Sequence, residues 1–272
     1  MTDFLAAAVQ LTSSQDPEAN FTAAEEQIDL AARRGAELVG LPENFAFMGD
    51  DSRRLELAPT LAEQCSRFLV TMARRYQVTL LGGGFPVPVG DGQRTLNRAE
   101  LVDRDGQLLA RYDKIHLFDV GVPDSAEAYR ESATFMAGTP APQVIDTPFG
   151  RLGLTVCYDL RFPELYRALA ADGAEIIVAP SAFTHTTGSA HWHVLTRARA
   201  IENLATIVAP NQAGHHANGR QTYGHSLIVD SWGQIKAEAR SDANEVVVAR
   251  IDRSRVEKLR DGFPCLSHRR LF

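Results

Sequence analysis

Three segments of the sequence place a chemically reactive side chain beside or directly after an apolar, strand-like stretch. Glu43 follows residues 37–41 in AELVGLPENF, Lys114 stands in LLARYDKIHLFD, and Cys157 follows residues 152–156 in RLGLTVCYDLRFPEL. Because ligands of α/β sheets gather at the carboxyl ends of strands, we expect the three side chains to meet in one pocket. A thiol, a carboxylate and an ammonium suit acyl transfer, since they can act as nucleophile, proton carrier and oxyanion stabiliser.

Each of these residues also has an ordinary structural interpretation. Cys157 precedes a predicted helix, whose N–H groups and dipole favour a thiolate and an oxyanion. A lone cysteine at the end of a core strand is, however, more often a small buried apolar residue. Glu43 could equally be a surface carboxylate, and Lys114 a lysine whose stem covers apolar surface. The residues taken singly leave both interpretations open.

The elements that must position these residues alternate between short apolar strands and amphipathic helices. Strands are predicted over residues 4–11, 37–41, 78–81, 96–102, 108–115, 151–157, 175–179, 206–210, 226–229 and 245–251. Helices are predicted over residues 17–34, 53–76, 162–172 and 189–203, and the glycines at 82–84 are expected to form a tight strand exit. This alternation, with an antiparallel hairpin at 96–115, predicts a layered α/β fold with mixed sheets. Short connections and the lack of a repeat or linker predict a single domain over residues 1–272.

The composition argues against several classes of protein. No apolar run among the 272 residues approaches the roughly 20 that a membrane-spanning helix requires. The net charge of −6 has the wrong sign for a protein that binds nucleic acid. The three cysteines are too few for a disulfide framework, and the N-terminus lacks the basic region of a secretion signal. We therefore expect a cytoplasmic protein with free thiols, no nucleic-acid partner and no membrane partner.

Nothing in the sequence predicts a cofactor or a metal ion. The eight histidines include those of HWH at 191–193 and HH at 215–216, which lack the spacing of a familiar zinc site. The glycines at 82–84 belong to neither G-x-x-x-x-G-K-[ST] nor G-x-G-x-x-G, the two patterns typical of nucleotide-binding loops. We expect no cofactor and no metal site.

The segments LPENF, YDKIHLFD and CYDLRFPEL closely resemble the three catalytic motifs of the nitrilase, or carbon-nitrogen hydrolase, superfamily. The similarity runs from AAAVQL near the N-terminus to HRR near the C-terminus and keeps the motifs in order. The resemblance implies a four-layer α-β-β-α sandwich. It also implies that Glu43 is the general base, that Lys114 stabilises the oxyanion and that Cys157 is the nucleophile. The family has a second glutamate near the nucleophile, and YRESATFMAG supplies it as Glu131.

The resemblance implies further contacts around the nucleophile. The backbone N–H of Tyr158 would stabilise the oxyanion together with Lys114. The residues implied to contact a small anionic amide substrate are Arg161, Phe183, Thr184 and Thr187. Arg161 could instead pair with Glu164, and the two threonines could be turn-formers.

Two later segments resemble the Nit branch of the superfamily. They are PSAFTHTTGSAHWHVLTRARAIEN and APNQAGHHANGRQTYGHSLIVDSWG. True nitrilases usually carry tryptophan directly after the nucleophile, so Tyr158 favours an amide over a nitrile. The branch implies hydrolysis of deaminated glutathione, an amide of a small 2-oxo acid, to 2-oxoglutarate and cysteinylglycine through a cysteine thioester.

Several alternatives to this function stay open. The substrate could be α-ketoglutaramate or another small amide, and the acyl group of Cys157 could pass to an amine instead of water. A non-catalytic thiol sensor is disfavoured because a scaffold needs none of Glu43, Lys114 and Cys157. Family members commonly pair through helices, which here implies a homodimer formed by the helix after RFPEL and by HWHVLTRARAIEN.

Overall fold

The computed structural model describes residues 3–123, 127–240 and 242–271, which form strands interleaved with helices. In chain order, strands β1 to β16 are Phe4–Gln10, Leu38–Gly40, Thr79–Pro88, Thr95–Val102, Leu108–Asp113, Asp119–Gly121, Ala128–Arg130, Val144–Thr147, Gly150–Leu154, Ile176–Val178, Thr206–Ala209, Ala213–His215, Gln221–Tyr223, Leu227–Val229, Ile235–Glu238 and Glu245–Ile251. Helices α1 to α5 are Pro17–Arg33, Asp51–Tyr76, Pro163–Ala171, His185–Asn203 and Arg253–Gly262. Short 3-10 helices span Glu131–Ala133 and Cys157–Arg161.

Two six-stranded mixed sheets form the centre of the fold. The first has the strand order β16-β1-β2-β3-β4-β5, and the second has the order β15-β14-β11-β10-β9-β8. Three neighbouring strands run parallel in each sheet, β1-β2-β3 in the first and β9-β10-β11 in the second, and antiparallel strands flank them. The predicted mixed α/β architecture is confirmed.

The two sheets pack against each other and carry helices on their outer faces. Leu38 of β2 lies in a hydrophobic core that also contains Val178 of the second sheet. The next residue, Val39, points the opposite way into a second core with Ile28 of α1, as side chains alternate along a strand. Trp192 of α4 packs on the second sheet from outside. The four-layer α-β-β-α sandwich is therefore confirmed.

Helix α2 packs on the first sheet through an apolar face that includes Cys65 and Leu69, four residues apart and both fully buried. A Cβ atom at Gly82 of β3 would lie 2.4 Å from Cδ1 of Leu69, so this close approach requires glycine. The predicted strand exit at 82–84 is wrong. Strand β3 continues to Pro88 across an irregularity between Gly82 and Phe85, so the glycines allow helix packing and a bulge.

Other boundaries differ from the predicted ones for local reasons. The Thr184 side chain caps α4, which therefore begins at His185 instead of residue 189. Strand β5 ends at Asp113, which leaves Lys114 just beyond its end. Several short elements, β6 to β8, β12, β13, β15 and α5, were not predicted because they hold too few apolar residues to show a period. Among the helices of the described ranges, none has the length and apolar character that crossing a bilayer requires.

Candidate active site

Cys157 lies where the chain turns from β9 into a short 3-10 helix. Its φ is 48°, in the left-handed region that residues with a side chain rarely adopt. Its N–H donates to the carbonyl of Pro180 at 2.8 Å, which fixes the turn. The predicted position at a strand end is correct, but the five-residue 3-10 helix separates Cys157 from α3, which begins at Pro163.

The carboxylate of Asp159, which is fully buried, holds this turn in place. Its Oδ2 accepts the Val156 N–H at 2.8 Å and the Tyr112 hydroxyl at 2.7 Å. Its Oδ1 accepts the backbone N–H of His116 at 3.2 Å and lies 2.7 Å from the ring Nδ1 of the same residue. These contacts link the start of the 3-10 helix to the segment that carries Lys114.

Lys114 lies between the two glutamates that the family resemblance singled out. Its Nζ donates to Oε1 of Glu43 at 2.9 Å and to both carboxylate oxygens of Glu131 at 2.9 Å. The side chains of Lys114 and Glu43 are only 2% and 4% exposed. Asn97 of β4 donates to Oε1 of Glu43 at 2.8 Å and to Oε1 of Glu131 at 3.3 Å. The backbone N–H of Phe118 donates to Oε2 of Glu131 at 2.6 Å, so this carboxylate is held from two directions.

The buried charges keep one another ionised. Burial alone lowers the pKa of the Lys114 ammonium, but the carboxylates of Glu131 and Glu43 prevail and raise it above its ordinary value. Burial raises the pKa of the Glu43 carboxyl, but the charge and hydrogen bond of Lys114 prevail and lower it. Lys114 is therefore an ammonium and Glu43 a carboxylate at neutral pH.

The thiol of Cys157 is held in its protonated form. The thiol lies close enough to the Glu43 carboxylate and to the Ala182 backbone to form a hydrogen bond with each. Burial raises the pKa of the Cys157 thiol, and the negative charge of Glu43 raises it further, against the opposing charge of Lys114. A thiol can be activated by a lowered pKa or by transfer of its proton to Glu43 during attack, and the raised pKa of Cys157 favours the second. A neutral thiol beside a carboxylate is arranged to lose its proton only during attack.

These groups line an open cavity of about 730 Å³, a volume that includes solvent outside its mouth. The predicted residues that line it are Glu43, Lys114, Glu131, Cys157, Tyr158, Arg161, Phe183, Thr184 and Thr187. The structure thus brings together every site residue singled out from the sequence. The N–H of Tyr158 belongs to the first turn of the 3-10 helix, where N–H groups have no acceptor within the helix.

The residues expected to contact substrate differ in their local contacts. Arg161 and Glu164 form no ion pair in the described structure; the Arg161 guanidinium lies 3.2 Å from Nδ1 of His191 and above the Phe183 ring. Thr184 Oγ1 accepts the Thr187 N–H at 3.4 Å and lies 2.8 Å from Thr187 Oγ1. The two threonines therefore form a turn, which was the alternative to contact with the substrate, and both also line the cavity.

Sequence reasoning missed several residues of the site, and three of them bear directly on its chemistry: Asn97, Asp159 and Arg220. Asp159 stands two residues after Cys157 in the motif CYDLRFPEL, so it was open to inspection. Arg220 stands inside a segment that resembled the Nit branch, but nothing there distinguished it from a surface arginine. Asn97 carried no local signal, because only strand pairing brings it between Glu43 and Glu131.

One cluster in the described residues, away from the cavity, could hold a metal ion. Oε1 of Glu238 lies 2.8 Å from Nε2 of His193 and from Nδ1 of His225, and the three ligand atoms lie within 4.8 Å of one another. The sequence showed no metal spacing because these residues come from α4, β15 and the turn before β14. Their mutual hydrogen bonds account for the arrangement without an ion.

The arrangement around Cys157 suits nucleophilic attack on an acyl carbon, with a base, a fixed cation and backbone N–H groups beside it. Comparison with known proteins agrees with this chemistry. The carbon-nitrogen hydrolase family model matches residues 5–261. The chain belongs to the carbon-nitrogen hydrolase family, and the predicted class, a hydrolase that acts on amides, is confirmed.

Individual relatives make the similarity more specific. The chain is 51% identical over 271 residues to a deaminated glutathione amidase of Synechocystis sp., and the match covers 99% of each chain. The C. elegans NitFhit structure matches with a TM-score of 0.93 at 41% identity, over 98% of this chain and 65% of that one. The chain thus spans about two thirds of that protein. Saccharomyces cerevisiae Nit3, described as a member of branch 10 of the nitrilase superfamily, matches with a TM-score of 0.87 at 31% identity, over 99% and 97%.

Proposed function

We propose that the chain hydrolyses deaminated glutathione to 2-oxoglutarate and cysteinylglycine. The observation that carries this proposal is the contact of Cys157, Glu43 and Lys114 in one cavity, in a chain 51% identical to a relative of that name. The bond that breaks joins the 2-oxoglutaryl carbonyl carbon to the cysteine nitrogen. Water supplies the hydroxyl of the new carboxylic acid and the hydrogen of the new amine.

The first half of the reaction forms a thioester on Cys157. The thiol attacks the amide carbonyl carbon while its proton passes to the Glu43 carboxylate. This order is supported by the raised pKa of the Cys157 thiol, which leaves little free thiolate at rest. The ammonium of Lys114 and the N–H of Tyr158 stabilise the negative oxygen of the tetrahedral intermediate. Glu43 then donates its proton to the departing nitrogen.

The second half of the reaction returns the enzyme to its starting state. Glu43, again a carboxylate, accepts a proton from a water molecule that attacks the thioester carbonyl. The oxyanion forms at the same place, so Lys114 and Tyr158 stabilise it again. The thiolate of Cys157 leaves and takes the proton back from Glu43, which balances the cycle.

Glu131 and Asn97 position the reacting groups. Both oxygens of Glu131 bind the Lys114 ammonium, which keeps it charged and directed at the cavity. Asn97 holds the Glu43 oxygen that also accepts from Lys114. The carboxylate beside the 2-oxo group is assigned to Arg161, and Phe183, Thr184 and Thr187 complete that side of the cavity.

Steady-state hydrolysis of deaminated glutathione and of α-ketoglutaramate tests the proposal, with 2-oxoglutarate measured in both cases. We expect kcat/KM to be at least about tenfold higher for deaminated glutathione, or about 1.4 kcal/mol in transition-state binding. Cys157→Ala should abolish both reactions, and Cys65→Ala serves as the matched thiol control because Cys65 lies in α2, away from the cavity. A reversed preference, or no hydrolysis of either amide, would contradict the proposed substrate.

We further propose that the protein is a cytoplasmic homodimer. Val194 and Ile201 on α4 are 66% and 47% exposed, and Trp232 is 53% exposed. Gly233 lies directly against Ile201, so these apolar side chains belong to one neighbourhood. Three free cysteines suit a reducing compartment. Sedimentation of the wild type and of Ile201→Glu tests this proposal. We expect the wild type to sediment as a dimer and Ile201→Glu as a monomer, because the added charge would be buried in the interface.

A further inference from the structure

The arginines that line the cavity differ in how their charges are compensated. Arg54 pairs with Asp51 at 2.7 Å, and Arg130 stands exposed at the rim. Arg161 and Arg220 are partly buried, and neither forms an ion pair with a carboxylate of the described residues. Two partly buried cations without an ion-paired carboxylate among the described residues suit a ligand that brings two negative charges.

Arg220 is held close to the nucleophile with donor groups to spare. Its Nη2 donates to the Ala182 carbonyl at 3.1 Å, and its guanidinium lies 5.0 Å from the centre of the Tyr129 ring. Its buried Nε has no hydrogen-bond partner in the described structure. The backbone of Ala182 also interacts with the Cys157 thiol, so the guanidinium lies beside the reacting centre.

The two arginines have different neighbours around Cys157. Arg161 follows the nucleophile in the 3-10 helix and lies over the rings of Tyr158 and Phe183. Arg220 interacts electrostatically with Glu43. In the proposed mechanism, Glu43 donates its proton to the departing amine. The leaving group must lie against Glu43 to receive its proton, and it therefore lies on the side of Arg220.

We propose that Arg220 binds the carboxylate of the leaving group, which in the proposed reaction is the C-terminal carboxylate of the released dipeptide. This inference rests on the proposed function, since deaminated glutathione has one carboxylate beside the 2-oxo group and a second on its glycine. α-Ketoglutaramate has only the first. Arg161 and Arg220 thus match the two carboxylates one to one, and Arg220 makes the enzyme prefer amides with an anionic leaving group.

The test compares three substrates in the wild type, Arg220→Gln and Arg220→Lys. The substrates are deaminated glutathione, the same molecule with its glycine carboxylate converted to a carboxamide, and α-ketoglutaramate. Arg220→Gln should lower kcat/KM for deaminated glutathione about 30-fold, or about 2 kcal/mol, chiefly through a higher KM. For the other two substrates it should change kcat/KM less than about threefold. Arg220→Lys should recover part of the loss, since it keeps the charge without the two parallel hydrogen bonds.

Two controls separate binding from structure. Arg67→Gln removes an exposed arginine of α2 and should change no substrate, and the melting temperature of each variant checks the fold. Equal losses on all three substrates would overturn the proposal, because they would mean that Arg220 supports the catalytic groups. The proposal is also overturned if Arg161→Gln, and not Arg220→Gln, abolishes the preference for the free glycine carboxylate. Failure of the proposed function would look different, since the wild type would then hydrolyse none of the three or would prefer α-ketoglutaramate.

Discussion

The ammonium of Lys114 lies 2.9 Å from Oε1 of Glu43, and both side chains are almost completely buried. Glu131 shares the same ammonium, so one cation serves two carboxylates. Burial raises the pKa of the Cys157 thiol, and the negative charge of Glu43 raises it further against the opposing charge of Lys114. The resting site therefore holds a neutral thiol, and Glu43 must act as a general base.

Removal of Lys114 should destabilise the protein. Lys114→Met leaves the Glu43 and Glu131 carboxylates buried without a counter-ion, and the loss of a partner from such a pair costs about 3–5 kcal/mol. Denaturant unfolding measures the effect, with Lys258→Met as an exposed lysine control. The combination of Lys114→Met with Glu43→Gln should recover part of the stability. If Lys114→Met alone unfolds like the wild type, the buried network does not carry the charges assigned to it.

Glu43→Gln should separate thiol ionisation from catalysis. The charge of Glu43 raises the pKa of Cys157, so its removal should lower that pKa and increase the fraction of thiolate. Hydrolysis should nevertheless fall about 100-fold or more, because the proton carrier is lost. The pH dependence of thiolate absorbance, with Cys157→Ala subtracted, gives the first quantity and steady-state kinetics the second. A variant that gains thiolate and keeps its activity would show that Glu43 is not the base.

The pH profile of kcat/KM should be flat around neutrality. Glu43 is active as a carboxylate and its pKa lies below the ordinary 4.5, so activity should be lost only as the pH falls below that value. Lys114 is active as an ammonium and its pKa lies above the ordinary 10.5, so the alkaline loss should begin beyond it. The Glu43–Lys114 pair stabilises the fold over the same range of pH. The lowered pKa of the Glu43 carboxyl adds stability that is lost as the pH falls through that pKa, and the raised pKa of the Lys114 ammonium adds stability that is lost as the pH rises through that pKa. A rise in activity between about pH 7 and pH 9 would instead indicate that a preformed thiolate reacts.

The hydrogen bond from Tyr112 to Asp159 should matter more than an exposed bond of the same kind. Tyr112→Phe leaves Oδ2 of the buried Asp159 with one donor fewer, at a cost of about 1–3 kcal/mol. The turn at Cys157 should loosen as well, so kcat should fall with little change in KM. Tyr76→Phe removes a more exposed hydroxyl that donates to Glu25, and should cost less than about 1 kcal/mol in unfolding experiments. Equal effects of the two variants would mean that Asp159 does not hold the turn.

Local sequence patterns were sufficient for the elements that carry the three reactive residues. The apolar residues of β1, β2 and β9 and the helical spacing in α1 and α2 are continuous enough to identify these elements. Glu43 and Cys157 follow such strands closely, so their place at a sheet edge could be predicted. Lys114 was predicted inside a strand that in fact ends at Asp113. The pairing of the strands into two separate sheets came from the family resemblance and not from the periodicity.

The remaining parts of the site depend on contacts between distant segments. Asn97 reaches Glu43 across 54 positions of the chain, and Tyr112 reaches Asp159 across 47. No local pattern encodes such a pair, because only the packed sheets bring the residues together. Arg220 could not be recognised, because only the structure shows that no carboxylate of the described residues forms an ion pair with it. The state of the Cys157 thiol also required the structure, since it depends on burial and on the balance between the charges of Glu43 and Lys114.

The most direct test of the account is the mass of the protein after rapid mixing with deaminated glutathione and an acid quench. We expect a species heavier by one 2-oxoglutaryl group in place of the thiol hydrogen, located on the peptide that contains Cys157. Cysteinylglycine should appear in the same sample before 2-oxoglutarate, and Cys157→Ala should show neither the adduct nor the products. Hydrolysis by Cys157→Ala, or an adduct on another residue, would contradict the assignment of Cys157 as the nucleophile.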